Sequence, residues 1–423
     1  MSNLITSVKG VKDFISADAS AARILENIFV DVSKKYGYKE MRTPIFEYTE
    51  LFARGVGEFT DIVEKEMFTM HDSKGVKFSL RPENTAGVVR AYIEHGLFNE
   101  AGIGKFFYCG PMFRHEKPQA GRFRQFHQFG CEVFGVDSVL LDAEVIIYAL
   151  EFLKKIGIPS DLTELNLSSV GCGECRTAYN TEIQRYLKAN ISQLCDNCVR
   201  RIEKNPLRVL DCKEEKCRPL IEAAPKIAEN LCVQCGANLN DLKKCLDDFG
   251  VGYVFNTRLV RGLDYYTKTV FEITCSALGA QNTILAGGRY NKLVKQLGGP
   301  ETPAVGWAAG LERLMIILEQ YKTKTADNKI DFFIVSEQTT ASTAFKLLNE
   351  MYTAGFKCAM DYESKSFKSQ FRLANRLGSK FVFILGGNEL AAGKIKVKNF
   401  ADSSENAIQL SEVVKTAGNL VIS

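Results

Sequence analysis

The sequence has little net charge and no long hydrophobic run. Its 423 residues contain 54 Lys and Arg against 50 Asp and Glu, a formal net charge of +4. Because a nearly balanced charge neither requires nor excludes a nucleic-acid partner, any such partner has to be argued from local patches. No run of 18 apolar residues is present, and residues 1–10 lack the hydrophobic segment of a secretory signal. We therefore expect a cytoplasmic protein with no membrane partner, long enough for roughly two or three domains.

The thirteen cysteines do not suit a secreted disulfide framework, because their number is odd and no secretory signal is found. Nine of them lie between residues 161 and 255. Eight of these nine form three CxxC pairs and one C-x4-C pair: Cys172 and Cys175, Cys195 and Cys198, Cys212 and Cys217, and Cys232 and Cys235. Two tetrathiolate zinc sites need four such pairs. The pattern leaves structural zinc and buried free thiols both open.

The apolar spacing divides the chain into four segments. Helical spacing and strand-like alternation are mixed in residues 1–160 and return in residues 256–325. The charged, Cys-rich residues 161–255 favour short helices, so we interpret them as an insertion. In residues 326–423 strands alternate with helices, which is typical of a small α/β domain.

A hairpin between residues 105 and 134 carries the strongest functional signal. Strand alternation places Arg114, Gln128 and Glu132 on one face and leaves the other face for a core. The connecting loop holds four Lys or Arg in the eleven residues from Arg114 to Arg124, which suits an anionic ligand. The alternative is a solvated antiparallel hairpin.

Three other segments carry polar groups that suit a site. Glu83-Asn84-Thr85 stands at a predicted helix start, where the alternative role is an N-terminal cap. Residues 261–267 lead into a predicted strand with Tyr265 and Tyr266 on opposite faces. Residues 306–321 are predicted as a helix, with Gly306 and Arg313 on the same face.

Together and in this order, these segments resemble a known family. Over essentially its whole length the chain resembles a bacterial-type histidyl-tRNA synthetase, a class II aminoacyl-tRNA synthetase. Arg261–Thr267 and Ala286–Tyr290 resemble the two histidine-specific signatures of the family. Phe113–Glu132 resembles class II motif 2, Gly306–Arg313 resembles motif 3, and Gly37–Pro44 resembles the weaker motif 1.

The resemblance implies a fold and a reaction. The fold would be a multidomain α+β and α/β protein, in which a class II antiparallel β-sheet catalytic domain carries a helical insertion and precedes a C-terminal α/β anticodon-binding domain. The reaction would join L-histidine to ATP as histidyl-adenylate and then transfer the histidyl group to the 3′ end of tRNA(His).

The resemblance also implies roles for the ATP site. Arg114 would contact the α-phosphate and Arg313 the γ-phosphate of ATP bound with Mg²⁺, since a planar guanidinium holds phosphate oxygens bidentately. Glu116 and Arg122 would help to hold the nucleotide. Arg261 would be the catalytic cation beside the α-phosphate, together with Arg114.

The remaining implied roles concern histidine, tRNA and the subunit interface. The histidine ammonium would be held by Glu83 and Gln128, with Thr85 nearby. The imidazole would be read by Glu132 and Tyr266, in a pocket lined by Tyr265 and Tyr290. Lys117 and Gln119 would touch the tRNA acceptor end. The motif 1 segment around Pro44 implies a homodimer.

Two departures and two alternatives accompany this interpretation. Asn84 stands where the family usually has glycine, and we expect it to tolerate left-handed dihedrals there. Trp307 is bulkier than the usual residue and is expected to alter packing near the adenine. The main alternative is a non-catalytic regulatory subunit of ATP phosphoribosyltransferase in histidine biosynthesis, and a synthetase for another amino acid is the second. Both fit less well, because Arg114, Gln128 and the histidine signatures are present.

Overall fold

A computed structural model describes two compact units, residues 1–325 and 326–423. The residues described are 4–58, 60–119, 121–204, 206–210, 212, 214–259, 262–279, 282–320 and 329–422. Within these ranges no helix is both long enough and apolar enough to cross a membrane.

The first unit is built on strands and helices that alternate irregularly. Its described strands are β1 (Lys39–Glu40), β2 (Phe46–Tyr48), β3 (Thr69–His71), β4 (Lys77–Leu80), β5 (Gly104–Phe113), β6 (Gln125–Phe134), β7 (Thr163–Ser169), β8 (Val254–Phe255), β9 (Thr267–Cys275), β10 (Thr283–Arg289) and β11 (Ala304–Gly310). Its described helices are α1 (Ala17–Lys35), α2 (Thr49–Val56), α3 (Thr85–Glu94), α4 (Val139–Lys155), α5 (Gly173–Ala189), α6 (Asp196–Lys204), α7 (Arg218–Glu222), α8 (Val233–Asp248), α9 (Leu293–Gln296) and α10 (Leu311–Gln320).

One large sheet organises this unit. Its strand order is β1-β5-β6-β11-β10-β9-β7-β8, with antiparallel pairing from β5 to β7 and parallel pairing at each edge. Helices α1, α4, α8 and α10 contribute to the core on one face, for example through Phe29, Phe152 and Leu242. The other face packs α3 and the residues around Tyr265 and Tyr290. A small separate sheet has the order β2-β4-β3.

The predicted hairpin is present as β5 and β6. Phe129, Cys131 and Val133 point into the core formed with α1 and α4. Gln128 and Glu132 point to the opposite face. The alternation therefore assigned the two faces correctly, because the side-chain period of a strand is two.

The helix predicted over residues 306–321 is wrong in its first part. Ala304–Gly310 is the central strand β11, paired with β6 on one side and β10 on the other, and α10 begins only at Leu311. Its small residues carry little strand propensity of their own, and pairing on both edges decides the conformation. Gly306 and Arg313 are thus not related by helical turns.

Both ends of the predicted insertion, residues 161–255, contribute to the large sheet and the main core. Strands β7 and β8 pair within the large sheet, and α8 packs Leu239, Leu242 and Leu246 into the main core. A separate small hydrophobic core lies between β7 and α8 in sequence, and side chains from Tyr179 to Ile227 form it. The ends of the stretch therefore belong structurally to the sheet, while the middle has a core of its own.

The second unit is an α/β fold, as the alternation predicts. Its described elements are β12 (Phe332–Ser336), α11 (Ala341–Thr353), β13 (Cys358–Met360), α12 (Phe367–Arg376), β14 (Phe381–Leu385), α13 (Gly387–Ala391), β15 (Lys394–Asn399), β16 (Glu405–Gln409) and α14 (Val413–Ile422). The strand order is β13-β12-β14-β15-β16, parallel at β12 and antiparallel beyond β14. The sequence analysis missed α13 and β16, which are short and mostly exposed.

Candidate functional site

A pocket of about 320 Å³ opens on the sheet face that carries Gln128 and Glu132. Strands β5, β6, β10 and β11 form its floor, and the start of α3 and residues 263–266 contribute to its walls. The structure brings eleven of the proposed site residues to its lining: Glu83, Thr85, Arg114, Glu116, Arg122, Gln128, Glu132, Tyr265, Tyr266, Tyr290 and Arg313. A pocket of this size suits a small ligand.

The deepest polar group of the pocket is the carboxyl of Glu132, which is 1% exposed. The hydroxyl of Thr85 donates to Oε1 at 2.7 Å, and the hydroxyl of Tyr290 donates to Oε2. Burial raises the pKa of Glu132 to about 8, against the opposing effect of these hydroxyl donors. In its ionised form, a buried carboxyl held in this way is a strong acceptor for a ligand N–H group.

Glycines make room for this carboxyl and for its neighbour Tyr108. A β-carbon built on Gly306 of β11 would lie 2.0 Å from Glu132 Oε2 and 2.2 Å from the carbonyl oxygen of Cys131. A β-carbon on Gly130 would lie 2.2 Å from the Tyr108 ring. Strand β11 therefore needs glycine where the Glu132 carboxyl lies against it, and β6 needs glycine where the Tyr108 ring lies against it.

Glu83 caps helix α3 and also lines the pocket. Its carboxylate oxygens accept from the backbone N–H groups of Thr85 at 2.7 Å and Ala86 at 3.0 Å. Burial raises its pKa, while these two backbone donors oppose the rise. The capping role and the ligand role weighed in the sequence are thus compatible, because each oxygen retains a second lone pair.

Asn84 does not adopt the left-handed conformation that we expected it to tolerate. Its φ is −116° and its ψ is −10°, in the right-handed region. The side-chain oxygen instead accepts from the hydroxyl of Thr43 at 2.6 Å and from Arg81 at 3.3 Å. Asn84 therefore fixes the loop before α3 through side-chain hydrogen bonds.

The two adjacent tyrosines do not point in opposite directions. Tyr265 and Tyr266 precede β9, both are buried, and their ring centroids lie 4.8 Å apart. Because residues 262–266 are not extended as a strand, strand alternation does not apply to them. The Tyr265 ring also meets the Tyr290 ring edge-on at 5.4 Å, so the three rings form one wall of the pocket.

Gln128 presents an unusual acceptor to the pocket. Its side-chain oxygen Oε1 is buried and has no hydrogen-bond partner among the described residues. An unpaired buried acceptor costs free energy until a donor arrives. A ligand N–H or ammonium group would supply that donor.

Three arginines lie at the more exposed end of the pocket. Arg122 donates to Glu116 at 3.0 Å, and Arg114 lies 3.8 Å from the same carboxylate. Arg313 donates to the carbonyl oxygen of Thr283, and burial lowers its pKa, with the positive charge of Arg122 adding to the effect. Two carboxylates, Glu116 and Glu312, against three guanidinium groups leave a local positive charge that suits a polyphosphate.

Two of the proposed substrate and tRNA residues that the structure describes are not part of this lining. Lys117 and Gln119 are exposed on the loop between β5 and β6. Arg261 lies outside the described residues, so its proposed role stays a prediction.

Several pocket residues were not assigned in the sequence analysis. Tyr108 lies 3.4 Å from Glu132, Phe126 places its ring 5.5 Å from the guanidinium carbon of Arg114, and Glu312 accepts from the backbone N–H of His127 at 2.9 Å. The strand alternation already placed Tyr108 and Phe126 on the site face, and that signal could have identified them. Glu312 carries no comparable signal.

Trp307 and Arg289 lie behind the pocket floor. The Trp307 ring contacts Phe29, Tyr148 and Phe152 in the main core, so the expected change of packing near an adenine does not follow from its bulk. Arg289, in the second histidine-like signature, donates to Asp142 at 2.8 Å and is 1% exposed. It therefore anchors the strand end that carries Tyr290.

The eight cysteines assemble into two groups of four. Cys172, Cys175, Cys232 and Cys235 form one group, and Cys195, Cys198, Cys212 and Cys217 form the other. In each group the four sulfur atoms lie within 4.8 Å of one another. The pairing of distant CxxC motifs could not be read from their spacing.

Comparisons with known proteins agree with this geometry. The family model described as Histidyl-tRNA synthetase matches residues 10–314, and an Anticodon binding domain model matches residues 330–420. The chain belongs to the histidyl-tRNA synthetase family. A relative named Histidine--tRNA ligase from Anaeromyxobacter dehalogenans is 47% identical over 97% of this chain and 98% of its own length. A relative with the same name from Caldanaerobacter subterraneus is 45% identical over 98% of this chain and 100% of its own length.

A solved structure supports the same family fold. The crystal structure of apo S. aureus histidyl-tRNA synthetase aligns with a TM-score of 0.83 and 34% identity, covering 98% of this chain and 99% of that one. The fold expected from the sequence, a class II catalytic sheet followed by an α/β anticodon-binding domain, is thereby confirmed.

Gly306→Ala is expected to abolish histidine-dependent activity. Its β-carbon would occupy the space of the Glu132 carboxyl, and the backbone of β11 cannot shift without breaking its pairing on two sides. Gly252→Ala is the control, since no atom lies within 4 Å of its β-carbon and the residue is outside the pocket lining. Histidine-dependent pyrophosphate exchange should fall at least about 100-fold in the first variant only. Equal activity in the two variants would contradict the packing described for Glu132.

Glu132→Gln is expected to stabilise the ligand-free protein at alkaline pH. The folded chain keeps the Glu132 proton up to pH about 8, whereas the unfolded chain releases it near the ordinary carboxyl value. The folded state therefore binds more protons between these values, and its stability falls with rising pH by about 1.4 kcal/mol per unit. Because glutamine removes this loss, the melting temperature of the variant relative to the parent should be higher at pH 8.5 than at pH 5.5.

The control for this measurement is Glu116→Gln, which removes a carboxylate at the more exposed end of the pocket. A melting-temperature difference between Glu132→Gln and the parent that does not change with pH would show that Glu132 titrates normally.

Proposed function

We propose that this chain attaches L-histidine to tRNA(His) in two steps, with the pocket residues in defined roles. Family membership makes it an aminoacyl-tRNA synthetase that uses ATP with Mg²⁺. The observation that carries the histidine assignment is the buried Glu132 carboxyl at the end of a pocket whose other end holds three arginines.

The inner end of the pocket suits a histidine zwitterion. Glu132 would accept the imidazole N–H, with Tyr266, Tyr265 and Tyr290 around the ring. The ammonium would lie between Glu83 and the unpaired Oε1 of Gln128, with Thr85 nearby. An analogue without a ring N–H would leave the buried Glu132 carboxyl with its hydroxyl donors Thr85 and Tyr290 but without a ligand donor, which costs more than a lost methylene contact.

The outer end suits the triphosphate of ATP. Arg114 would contact the α-phosphate and Arg313 the γ-phosphate, with Arg122 and Glu116 closing the site. Glu116 and Glu312 are the carboxylates that line this end, and a Mg²⁺ ion carried by the phosphates needs only one or two protein carboxylates. When bound, the ion would neutralise phosphate charge.

The first step is an in-line attack by the histidine carboxylate on the α-phosphorus, which releases pyrophosphate. Positioning the two reactants and stabilising the negative charge are the main contributions open to the protein. Arg114 would stabilise that charge, and Arg261 is proposed as a second catalytic cation on the family resemblance alone. In the second step a hydroxyl group of the terminal tRNA ribose attacks the carbonyl carbon of histidyl-adenylate, so that an ester forms and AMP leaves.

The tRNA contacts are proposed from exposure and family. Lys117 and Gln119 are exposed next to the phosphate end, where they could reach the acceptor end of the tRNA. Loop cations of this kind position a nucleic acid without reading its sequence. The C-terminal unit matches an anticodon-binding model, so we assign it the opposite end of the tRNA.

The regulatory-subunit alternative is less well supported. A structural neighbour titled an ATP phosphoribosyltransferase regulatory subunit/histidyl-tRNA synthetase, from Bacillus halodurans, aligns at 19% identity with a TM-score of 0.65, which shows the fold alone. The relatives at 43–47% identity over nearly the full length are all named Histidine--tRNA ligase. Eleven proposed ligand residues also line one pocket here.

Aminoacylation of a total tRNA pool with labelled histidine tests the proposal. Label should enter one tRNA species in an ATP-dependent reaction, and no other amino acid should replace histidine. Binding to an ATP phosphoribosyltransferase without any aminoacylation would support the regulatory alternative instead.

Arg114→Gln and Lys117→Ala should separate the two steps. Arg114→Gln should lower histidine-dependent pyrophosphate exchange by about 100-fold, because it removes one charge-stabilising donor. Lys117→Ala should leave the exchange within about twofold of the parent and raise KM for tRNA, because a loop cation contributes to positioning. Full exchange activity in Arg114→Gln would refute its phosphate role.

We also propose that the chain is cytoplasmic and forms a homodimer. An exposed apolar patch supports the homodimer. Ile45, Phe46 and Tyr48 follow the motif 1 segment and are 44%, 57% and 62% exposed. The Tyr48 ring stacks on Phe78 at 5.5 Å, which extends the patch over the small sheet. Large exposed patches of this kind mark interaction sites.

Phe46→Glu with Tyr48→Glu is expected to dissociate the dimer. Both side chains are exposed in the single chain, so the fold should tolerate the change, while a charged interface would not form. Sedimentation should show a dimer for the parent and for the control Leu140→Glu, whose site is 70% exposed on another surface. A monomeric parent at micromolar concentration would contradict this part of the proposal.

A further inference from the structure

We propose that each of the two four-cysteine groups binds one Zn²⁺ ion. The root cluster is Cys172, Cys175, Cys232 and Cys235, where the insertion leaves and rejoins the large sheet. The distal cluster is Cys195, Cys198, Cys212 and Cys217, inside the insertion. Neither cluster contributes to the pocket lining, so they go beyond the proposed function.

The sulfur separations fit a tetrahedral metal site. Cys172 Sγ lies 3.7 Å from Cys175 Sγ and 4.0 Å from Cys232 Sγ in the root cluster. In the distal cluster Cys195 Sγ lies 3.8 Å from Cys212 Sγ. A tetrahedron with Zn–S bonds of about 2.3 Å has sulfur–sulfur edges of about 3.8 Å.

The same distances argue against disulfides. A disulfide bond is about 2.05 Å long, so these sulfur atoms are not bonded to one another. All eight cysteines are free, and in each cluster two are buried and two are half-buried. Four sulfur ligands describe a closed structural site, and tetrahedral sulfur ligation is typical of zinc.

The backbone around the root cluster directs two helix N-termini and one N–H donor at the sulfur atoms. Cys172 and Cys232 are the N-caps of α5 and α8, and Cys175 and Cys235 lie in the first turns. Two helix N-termini thus point their partial positive charge at one group of four sulfurs. The backbone N–H of Cys232 also donates to Cys175 Sγ at 3.1 Å.

The distal cluster also receives a backbone hydrogen bond, and two of its cysteines lie in a small hydrophobic core. The backbone N–H of Cys195 donates to Cys217 Sγ at 3.2 Å. Cys198 and Cys217 are fully buried in the core that extends from Tyr179 to Ile227. A core of this size rarely stabilises itself, and small units of this kind often rely on a metal.

The root cluster also connects to the pocket, an inference that rests on the proposed function. Arg176 follows Cys175 directly, and its guanidinium donates to the carbonyl oxygens of Asp264 at 2.9 Å and Tyr266 at 3.0 Å. Zinc at the root cluster would fix the first turn of α5 and, through Arg176, the segment that carries Tyr265 and Tyr266. Arg176 would then be a positioning residue for histidine.

Metal analysis of the purified full-length protein tests the two sites independently of activity. We expect two zinc ions per chain, one in Cys195→Ser with Cys198→Ser, one in Cys232→Ser with Cys235→Ser, and two in the control Cys245→Ser. Cys245 is a half-buried cysteine of α8 outside both clusters. Less than about 0.2 zinc per chain, with the eight thiols titrating freely, would overturn the proposal.

Cobalt replacement keeps the test decisive where a variant folds poorly. The parent protein grown with Co²⁺ should show thiolate-to-cobalt charge transfer and the visible bands of a tetrahedral site, with two cobalt ions per chain. Absorption bands of octahedral cobalt would contradict two separate tetrathiolate sites. So would a single bound cobalt ion per chain that both double variants lose.

The link to the pocket has its own readout. Arg176→Ala should keep two zinc ions and raise KM for histidine about tenfold, while KM for ATP stays within about twofold. Arg176→Lys should recover only part of the loss, because its ammonium keeps the charge and the N–H donors on a shorter side chain than that of arginine, whose Nη1 makes both bonds. An unchanged KM for histidine would refute the positioning role without affecting the zinc result. Loss of pyrophosphate exchange with every amino acid in the parent would instead refute the proposed function.

Discussion

The burial of one carboxyl group constrains most of the first unit. Glu132 lies below the surface of the sheet, where hydroxyl groups of Thr85 and Tyr290 reach it from α3 and from the end of β10. Gly306 has to leave the space for it, and Arg289 has to hold the strand end that carries Tyr290. Burial raises the pKa of the carboxyl to about 8, so the empty site stores an unfavourable interaction that a ligand N–H can relieve. Burial of this carboxyl thus lowers the stability of the folded protein and raises its specificity for a ligand with an N–H group.

The rest of the pocket follows from the same sheet. Strand β6 carries Gln128 and Glu132 on one face, and the residues between them complete the main core on the other. The arginines stand where the strands end, so positive charge accumulates at the outer end while the tyrosines enclose the inner end. We infer that an amino acid and a nucleotide can therefore bind side by side, with the reacting carboxylate and α-phosphate between the two ends. The root cluster connects to the segment of Tyr265 and Tyr266 through Arg176, whose guanidinium donates to the carbonyl oxygens of Asp264 and Tyr266.

Sequence patterns predicted the parts of this arrangement that depend on local periodicity. The faces of β5 and β6, the helix from Thr85 to Glu94 and most of the C-terminal unit follow from spacing alone. Strand β11 was misassigned because Gly306, Ala308 and Gly310 carry no strand signal, and only pairing on both edges makes them extended. The grouping of the cysteines, the contact of the Tyr265 ring with the Tyr290 ring and the contacts of Arg176 depend on residues distant in sequence. The family resemblance, rather than periodicity, supplied the ligand roles.

The central claim is that the Glu132 carboxyl selects histidine through its ring N–H group. The most direct measurement compares kcat/KM for pyrophosphate exchange between histidine and β-(2-thienyl)alanine, which has a ring of similar shape and no N–H donor. A site built around a buried hydrogen-bonding group is expected to prefer histidine by about 10⁴-fold or more. A preference below about tenfold would show that the pocket recognises only the shape of the ring, and the account given for Glu132 would be wrong.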